Sequence, residues 1–212
     1  MISTHDLKDL PSIDILMFNL QSLATLDSIL SPEWEYRYYS FNSNWAKDTS
    51  LASLNNGSGN HLFVVFDSYG CLIKGFDHEA PINHFNPDKS CIFTDILDSV
   101  PPHFKDYLQE VSLIPEETTF CIWRNYSDVS WKVGEINFQD GSEELLPFLV
   151  YSPQQYQKWA EEYYEINIKI ESIIHIFSRK ALTSSIIYAL NPKASIELVN
   201  KDLQEIGYNS ES

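Results

Sequence analysis

The fold is decided by the stretch HLFVVFDSYGCLIKGF, which spans His61–Phe76. Its first part, His61–Phe66, is a continuous apolar run of the kind found in strands that are covered on both faces. Asp67–Gly70 supplies turn residues, with Gly70 expected to adopt a positive φ, and the apolar run resumes at Cys71. The stretch therefore predicts a β-hairpin.

A second hairpin is predicted downstream, with the arms Thr118–Tyr126 and Trp131–Phe138 on either side of the turn Asn125–Asp128. The apolar positions of the second arm change parity part of the way along it. An extra residue in a strand causes such a change, so a β-bulge is expected at Gly134.

Before the first hairpin, the pattern changes from helical to extended. Apolar residues follow a three-four spacing after the cap residue Ser12, and Pro32 ends this predicted helix. Glu33–Phe41, with the sequence EWEYRYYSF, is predicted to be a strand. Asn42–Asn60 contains a cluster of turn residues, and no strand is predicted there.

Alternate aromatic side chains of the predicted strand are expected to lie in the core. If they were exposed, they would form a binding platform, because Trp and Tyr dominate interface hot spots. These side chains are Trp34, Tyr36 and Tyr38.

Downstream of Ser152, the chain is predicted to be helical. Ser152 starts a capping-box pattern, and apolar residues then recur three and four positions apart. They predict one helix over Pro153–Lys180, about 42 Å long. The helical spacing continues in Ala181–Leu190 and in a last segment that Gly207 closes.

Together, these elements predict an α+β fold: an antiparallel β-sheet with hairpins near 61–76 and 118–138, flanked by helices, with a helical C-terminal region. Residues 1–150 are assigned to an α+β core domain. Residues 151–212 are assigned to C-terminal helices that pack on the core or form an appendage. Their apolar stripe favours packing on the protein's own sheet, and a homodimer through these helices is an alternative.

The chain is strongly acidic, since its 212 residues carry 14 Lys and Arg against 30 Asp and Glu, a formal charge of −16. Affinity for phosphate backbones comes from clustered basic residues, so the charge argues against nucleic-acid binding. Residues 1–106 and 107–212 each carry −8, so the acidity belongs to a folded surface rather than to a tail.

Acidic residues are locally enriched between Glu135 and Glu171, where eight acids accompany two lysines. One interpretation is a solubilising surface, and the other is a docking surface for a basic protein partner. The candidate contact residues are Glu143, Glu144, Glu161, Glu162 and Glu165.

Motifs for chemistry are sparse. Gly57-Ser58-Gly59 precedes a strand and no Lys follows it, which favours a tight loop over a nucleotide site. A small metal-dependent or acid/base enzyme is the alternative, using His78, His84 and Asp88 of the loop after the first hairpin. Neighbouring side chains of an extended loop point in opposite directions, so Asp77, His78 and Glu79 are not expected to converge. A polar loop is therefore favoured, and no cofactor is expected.

The cysteines and the N-terminal sequence bear on the compartment. Cys71, Cys91 and Cys121 are far apart and have apolar neighbours, which is typical of free buried thiols in a reducing cytosol. The start of the chain is acidic, unlike a signal peptide, and polar residues interrupt Ile13–Leu30. We expect a cytoplasmic location and no contact with a membrane.

Four segments carry a resemblance to known proteins: NGSGNH (Asn56–His61), FDSYGCLIKGFDHE (Phe66–Glu79), FCIWR (Phe120–Arg124) and WKVG (Trp131–Gly134). They resemble an uncharacterised family of small acidic bacterial proteins, over about residues 45–164. By analogy, such acidic proteins without enzyme motifs also resemble toxin-immunity proteins, including the broad SMI1/KNR4-like class. The resemblance implies no site residues.

The sequence as a whole predicts a non-enzymatic cytosolic protein that binds a protein partner. Its most concrete form is an immunity protein that neutralises a basic toxin enzyme through an acidic surface. Opposite charges would speed the association and make its rate sensitive to salt.

Overall fold

The computed structural model describes residues 2–82, 96–134 and 139–209. A six-stranded antiparallel sheet has its strands side by side in chain order. The strands are β1 (Tyr39–Ala46), β2 (Thr49–Asn55), β3 (His61–Phe66), β4 (Gly70–Phe76), β5 (Phe120–Asn125) and β6 (Lys132–Val133).

Helices precede and follow the sheet, and the helical C-terminal region confirms the predicted α+β fold. They are α1 (Ile13–Leu30), α2 (Pro102–Lys105), α3 (Ser142–Leu145), α4 (Pro153–Tyr163), α5 (Ile170–Phe177), α6 (Ser184–Leu190) and α7 (Ile196–Ile206). Turns of 3-10 helix cover Trp34–Tyr36, Tyr107–Gln109, Val111–Leu113 and Leu146–Val150.

The predicted hairpin is confirmed as β3 and β4, with His61 opposite Phe76 and Phe66 opposite Cys71. The expected conformation of Gly70 is wrong, because this glycine is not among those with a positive φ. A Cβ on Gly70 would lie 2.1 Å from the carbonyl oxygen of Arg124. Glycine is needed there so that β5 can approach closely.

The second predicted hairpin is present as the antiparallel pair β5 and β6. Among the described residues, Ile122 pairs with Val133 and Trp123 pairs with Lys132. Residues 135–138 lie outside the described range, so the bulge expected at Gly134 stays a prediction. Trp131 precedes the strand, and its indole N–H donates to the carbonyl of Pro11 at 2.7 Å.

The strand predicted over Glu33–Phe41 is wrong in its first half. Trp34–Tyr36 form a 3-10 turn, and β1 begins only at Tyr39. Buried Asp27 of α1 accepts hydrogen bonds from the backbone N–H groups of Tyr38 and Tyr39, at 3.0 and 2.8 Å. The chain is thereby tied to the end of α1 before it can extend. Most of β1 and all of β2 lie in the segment for which no strand was predicted.

The single helix predicted over Pro153–Lys180 is also wrong, because the structure has α4 and α5 with an irregular link between them. Two side chains of α4 hold this link: the Gln157 amide donates to the carbonyl of Ile168 at 2.7 Å, and the Glu161 carboxylate accepts from its N–H at 2.8 Å. Glu165, in the link, has a φ of 54°. The apolar spacing continues across the break because both helices face the same core.

The two faces of the sheet have different covers. One face packs against α1 and the C-terminal helices in a large core that joins residues from both predicted regions of the chain. The opposite face packs under residues 96–113 in a smaller core that includes Val65 and Leu72. Within the described residues, this second cover leaves side chains of β1 and β2 partly exposed.

Helix α1 has the length and composition of a membrane-spanning helix, with a mean hydropathy of 1.3. We expected the polar residues of Ile13–Leu30 to argue against a membrane-spanning helix, but by length and composition they do not exclude one. Of its residues, 67% are buried inside the protein, where they form part of the large core.

Candidate functional site

An open groove of about 370 Å³ lies on the second face of the sheet, over β1, β2 and β3. Successive side chains of a strand point to opposite faces, so every second residue of these strands contributes to its floor. The floor residues are Ser40, Asn42, Leu51, Ser53, Asn55, His61 and Phe63.

The middle of the floor is polar. Ser40 and Ser53 lie opposite each other on β1 and β2, and their hydroxyl oxygens are 2.6 Å apart. Phe63 of β3 is the next residue in the same row. A hydroxyl pair beside an aromatic ring gives the floor both hydrogen-bonding and apolar surface.

One wall of the groove is the 3-10 turn that carries Trp34 and Glu35. The Trp34 side chain is 69% exposed, although tryptophan is highly buried in most proteins. Arg37 fixes the turn, because its guanidinium donates to the carbonyls of Ser31 and Pro32 at 2.8 and 2.9 Å. The exposure of Trp34 thus follows from a firmly held backbone.

The opposite wall is the loop that carries Ser112 and Ile114. Buried Lys74 of β4 holds this loop, because its ammonium group donates to the carbonyls of Leu113, Ile114 and Glu117 at 2.7, 2.8 and 2.6 Å. Burial lowers the pKa of Lys74 to about 8. Ile114 has a φ of 49°, which is strained for a β-branched residue and needs such support.

His61 lies at the β3 end of the groove and is 7% exposed. Burial, and then the charge of Lys74, lower the pKa of His61 to about 4. The imidazole is therefore neutral at pH 7, and its Nδ1 lies 3.6 Å from the Glu117 carboxylate. Its Nε2 has no hydrogen-bond partner among the residues that the structure describes.

The lining of the groove has a net negative charge. Glu35 and Glu205 contribute carboxylates that form no ion pair with any described residue. Arg37 also lines the groove, but its charge is neutralised by Asp202, 2.7 Å away. We call this site, with its Trp34 wall and its polar floor, the acidic aromatic groove.

Among the described residues, the carboxyl group with the largest pKa shift lies outside the groove. Burial raises the pKa of Asp27 to about 6, although the Tyr156 hydroxyl donates to it at 2.7 Å. Asp27 is 0% exposed, so no substrate reaches it. Its role in the structure is to join α1 to β1 and α4.

The acidic residues proposed from the sequence lie on the C-terminal half of the molecule. Glu143 and Glu144 are exposed in the first turn of α3, and Glu162 and Glu165 are exposed on α4 and just after it. Glu161 is partly buried, and its carboxylate already holds the N–H of Ile168. None of the five lines the groove.

The residues of the metal alternative are only partly described. Asp77 is buried, and its carboxylate accepts from the N–H of Glu79 at 2.9 Å, as in a local turn. His78 donates its backbone N–H to the Asn60 side chain at 3.0 Å. His84 and Asp88 lie outside the described residues. Within the described ranges, no three His, Cys, Asp or Glu side chains are placed to hold a metal ion.

Two of the three cysteines lie within the described residues. Cys71 and Cys121 are free and buried, and burial raises the pKa of both. Neither is poised as a nucleophile, since the thiolate is the reactive form. Cys91 lies outside the described residues.

The sequence does not predict the groove, because the floor of the groove includes β2 and the sequence predicts no strand there. Ser40 and Asn42, and Ser53 and Asn55, are small polar residues at alternate positions of two adjacent strands. Such alternation is the signal of a strand face that is not buried.

The chain matches no protein-family model, no curated protein and no solved structure. The resemblance to small acidic bacterial proteins stays a prediction.

Proposed function

We propose that this protein is a non-enzymatic binding protein whose acidic aromatic groove docks a basic protein partner. The observation that carries the proposal is the exposed Trp34 on a fixed wall of the groove, which is also lined by Glu35 and Glu205, two residues that form no ion pair within the described part of the chain. Tryptophan is the residue type most enriched at interface hot spots, and burial of its ring on binding stabilises a complex. The formal charge of −16 supplies long-range attraction for a basic surface.

In its most concrete form, the partner is a basic toxin enzyme, and this protein acts as its immunity protein. A negatively charged groove suits the Lys- and Arg-rich active site of an enzyme that acts on phosphates, because opposite potentials complement each other. Binding there would cover the active site of the enzyme and inhibit it.

Affinity capture with matched variants tests the proposal. Wild-type protein, Trp34→Ala and Tyr188→Ala are immobilised, and proteins from cells that make this chain are captured on each. Tyr188 is a suitable control because it is 47% exposed on α6 and does not line the groove. We expect a basic protein on the wild type and on Tyr188→Ala, and its loss on Trp34→Ala.

The other outcomes distinguish the alternatives. Capture of the same proteins by all three baits would contradict docking at the groove. A fourth bait carries both Glu162→Gln and Glu165→Gln. If this bait alone fails to capture the basic protein, the docking site is assigned to the acidic residues around α4. A captured enzyme whose activity is unchanged by saturating amounts of this protein would contradict the immunity role and leave the binding role.

A homodimer through the C-terminal helices is a second candidate. Ile174, Tyr188 and Leu198 are exposed apolar side chains on α5, α6 and α7, and a dimer would bury them. In the same experiment, such a dimer predicts that the bait captures copies of this chain and that Tyr188→Ala weakens the capture.

A further inference from the structure

Within the described ranges, no cationic side chain is left to pair with the carboxylates of the groove. Among the lining residues, Arg37 has its guanidinium committed to Asp202 and to two backbone carbonyls. Nearby Lys74 has its ammonium group enclosed by three carbonyls. Glu35 and Glu205, which line the groove, are therefore not neutralised by any cation among the residues that the structure describes.

The aromatic residues indicate what kind of cation fits. Trp34 presents an exposed indole, and Trp45, which packs against Tyr107 with ring centroids 6.1 Å apart, also lines the groove. Planar guanidinium groups stack on aromatic faces, and Trp is the strongest aromatic partner of a cation. A lysine ammonium group is more strongly hydrated and does not stack in this way.

The polar atoms of the groove fit a group with several N–H donors. The paired hydroxyls of Ser40 and Ser53 offer acceptor lone pairs on the floor. His61 lines the same groove as a neutral imidazole, and its enclosed Nε2 has no hydrogen-bond partner among the described residues. A guanidinium has five N–H donors and no acceptor, so it matches the carboxylates and the hydroxyls together.

We propose that the acidic aromatic groove binds an arginine side chain of the basic partner, in preference to a lysine. The guanidinium stacks on Trp34 and pairs with Glu35 and Glu205, while its N–H groups point towards the floor. A volume of about 370 Å³ lies within the range of small-ligand pockets and is sufficient for one such side chain. This inference rests on the proposed function, because it names the chemical group that the partner contributes.

The test uses N-acetyl-arginine amide as the probe and the 212-residue chain labelled with ¹⁵N. The amide and indole N–H signals are followed by NMR as the probe is added at constant ionic strength. We expect saturable shifts of the Trp34 and Trp45 indole signals and of the Ser53 and Asn55 amides. N-acetyl-lysine amide is expected to bind at least about tenfold more weakly, because it cannot stack or form paired hydrogen bonds.

Two matched variants locate the site. Trp34→Ala and Glu205→Gln each change an exposed side chain and should weaken the binding of the arginine probe severalfold. Tyr188→Ala should leave it unchanged. Equal binding of the two probes, shifts confined to other surfaces, or the absence of saturable shifts would each overturn the arginine assignment.

These outcomes are separate from those of the capture experiment. A partner captured through Trp34, with no binding of the arginine probe, would leave the proposed function standing and reject the arginine assignment. Binding of the probe, with no partner captured through the groove, would reject protein docking and leave a groove that recognises guanidinium groups.

Discussion

At the scale of single residues, the buried groups Asp27 and His61 tie stability to pH in opposite directions. The pKa of Asp27 is raised to about 6, so the folded protein binds this proton more tightly than the unfolded chain does. The pKa of His61 is lowered to about 4, so the unfolded chain binds that proton more tightly. Between pH 4 and pH 6.5, the two contributions partly cancel.

Asp27→Asn should remove the contribution of this carboxyl group to the pH dependence of stability. As pH rises from about 5 to about 7.5, the wild type should lose about 1.4 kcal/mol of stability relative to this variant, because ionising the buried carboxyl group becomes costly. Urea unfolding of both proteins at the two pH values measures this difference. A difference that does not vary with pH would show that Asp27 titrates normally in the folded protein.

His61→Gln should give the opposite slope. As pH rises from about 5 to about 7.5, the wild type should gain about 2 kcal/mol of stability relative to the variant. At the lower pH the unfolded chain is stabilised because its imidazole binds a proton, and at the higher pH this stabilisation is lost. The same urea series measures it, and the NMR titration of the His61 ring gives the folded-state pKa directly. A ring that titrates near pH 6.5 would contradict its burial in a neutral form.

At the scale of elements, Lys74 links the sheet to the loop that forms one wall of the groove. Lys74→Met keeps the apolar stem and removes the ammonium group that holds three carbonyls. We expect amide exchange of Ser112–Glu117 to become at least about tenfold faster, because the strained turn at Ile114 loses its support. Hydrogen exchange measures this, with the β1 amides as the internal control. An equal change in both segments would indicate general destabilisation instead.

The elements differ in how far they could be predicted. The β3–β4 hairpin and α1 have apolar patterns that follow directly from their buried surroundings, so the sequence was sufficient. The strand β2, TSLASLN, has little apolar contrast because only Ala52 and Leu54 face the large core among its apolar residues. The break after α4 could not be predicted, since it depends on Gln157 and Glu161 capturing the backbone of Ile168 in three dimensions.

Predicting the groove requires both the sequence pattern and the contacts that form only in the folded protein. The cluster of aromatic residues in EWEYRYYSF is evident from the sequence. Its division into exposed Trp34 and Tyr36 and buried Tyr38 depends on the turn that Asp27 and Arg37 impose. Strand alternation alone places all three on one side. The acidic character of the molecule follows from its composition, whereas the position of the groove could not be predicted.

At the scale of the whole molecule, the proposed docking of a basic partner gives the charge of −16 and the groove different roles. If the proposal holds, the overall field would attract the partner over distances up to about a Debye length, roughly 10 Å at 0.1 M salt. The groove would then form the short-range contacts that determine how long the complex lasts. Added salt should therefore act mainly by lowering the association rate constant. Loss of Trp34 should act mainly by raising the dissociation rate constant.

The most direct test of docking at the groove is the dissociation constant of the complex with the captured basic partner. It is measured by calorimetry at about 0.15 M salt for the wild type, Trp34→Ala and Tyr188→Ala. We predict that Trp34→Ala binds at least about tenfold more weakly, as expected for a hot-spot residue, and that Tyr188→Ala binds like the wild type. Equal dissociation constants for all three proteins would contradict the assignment of the groove as the docking site.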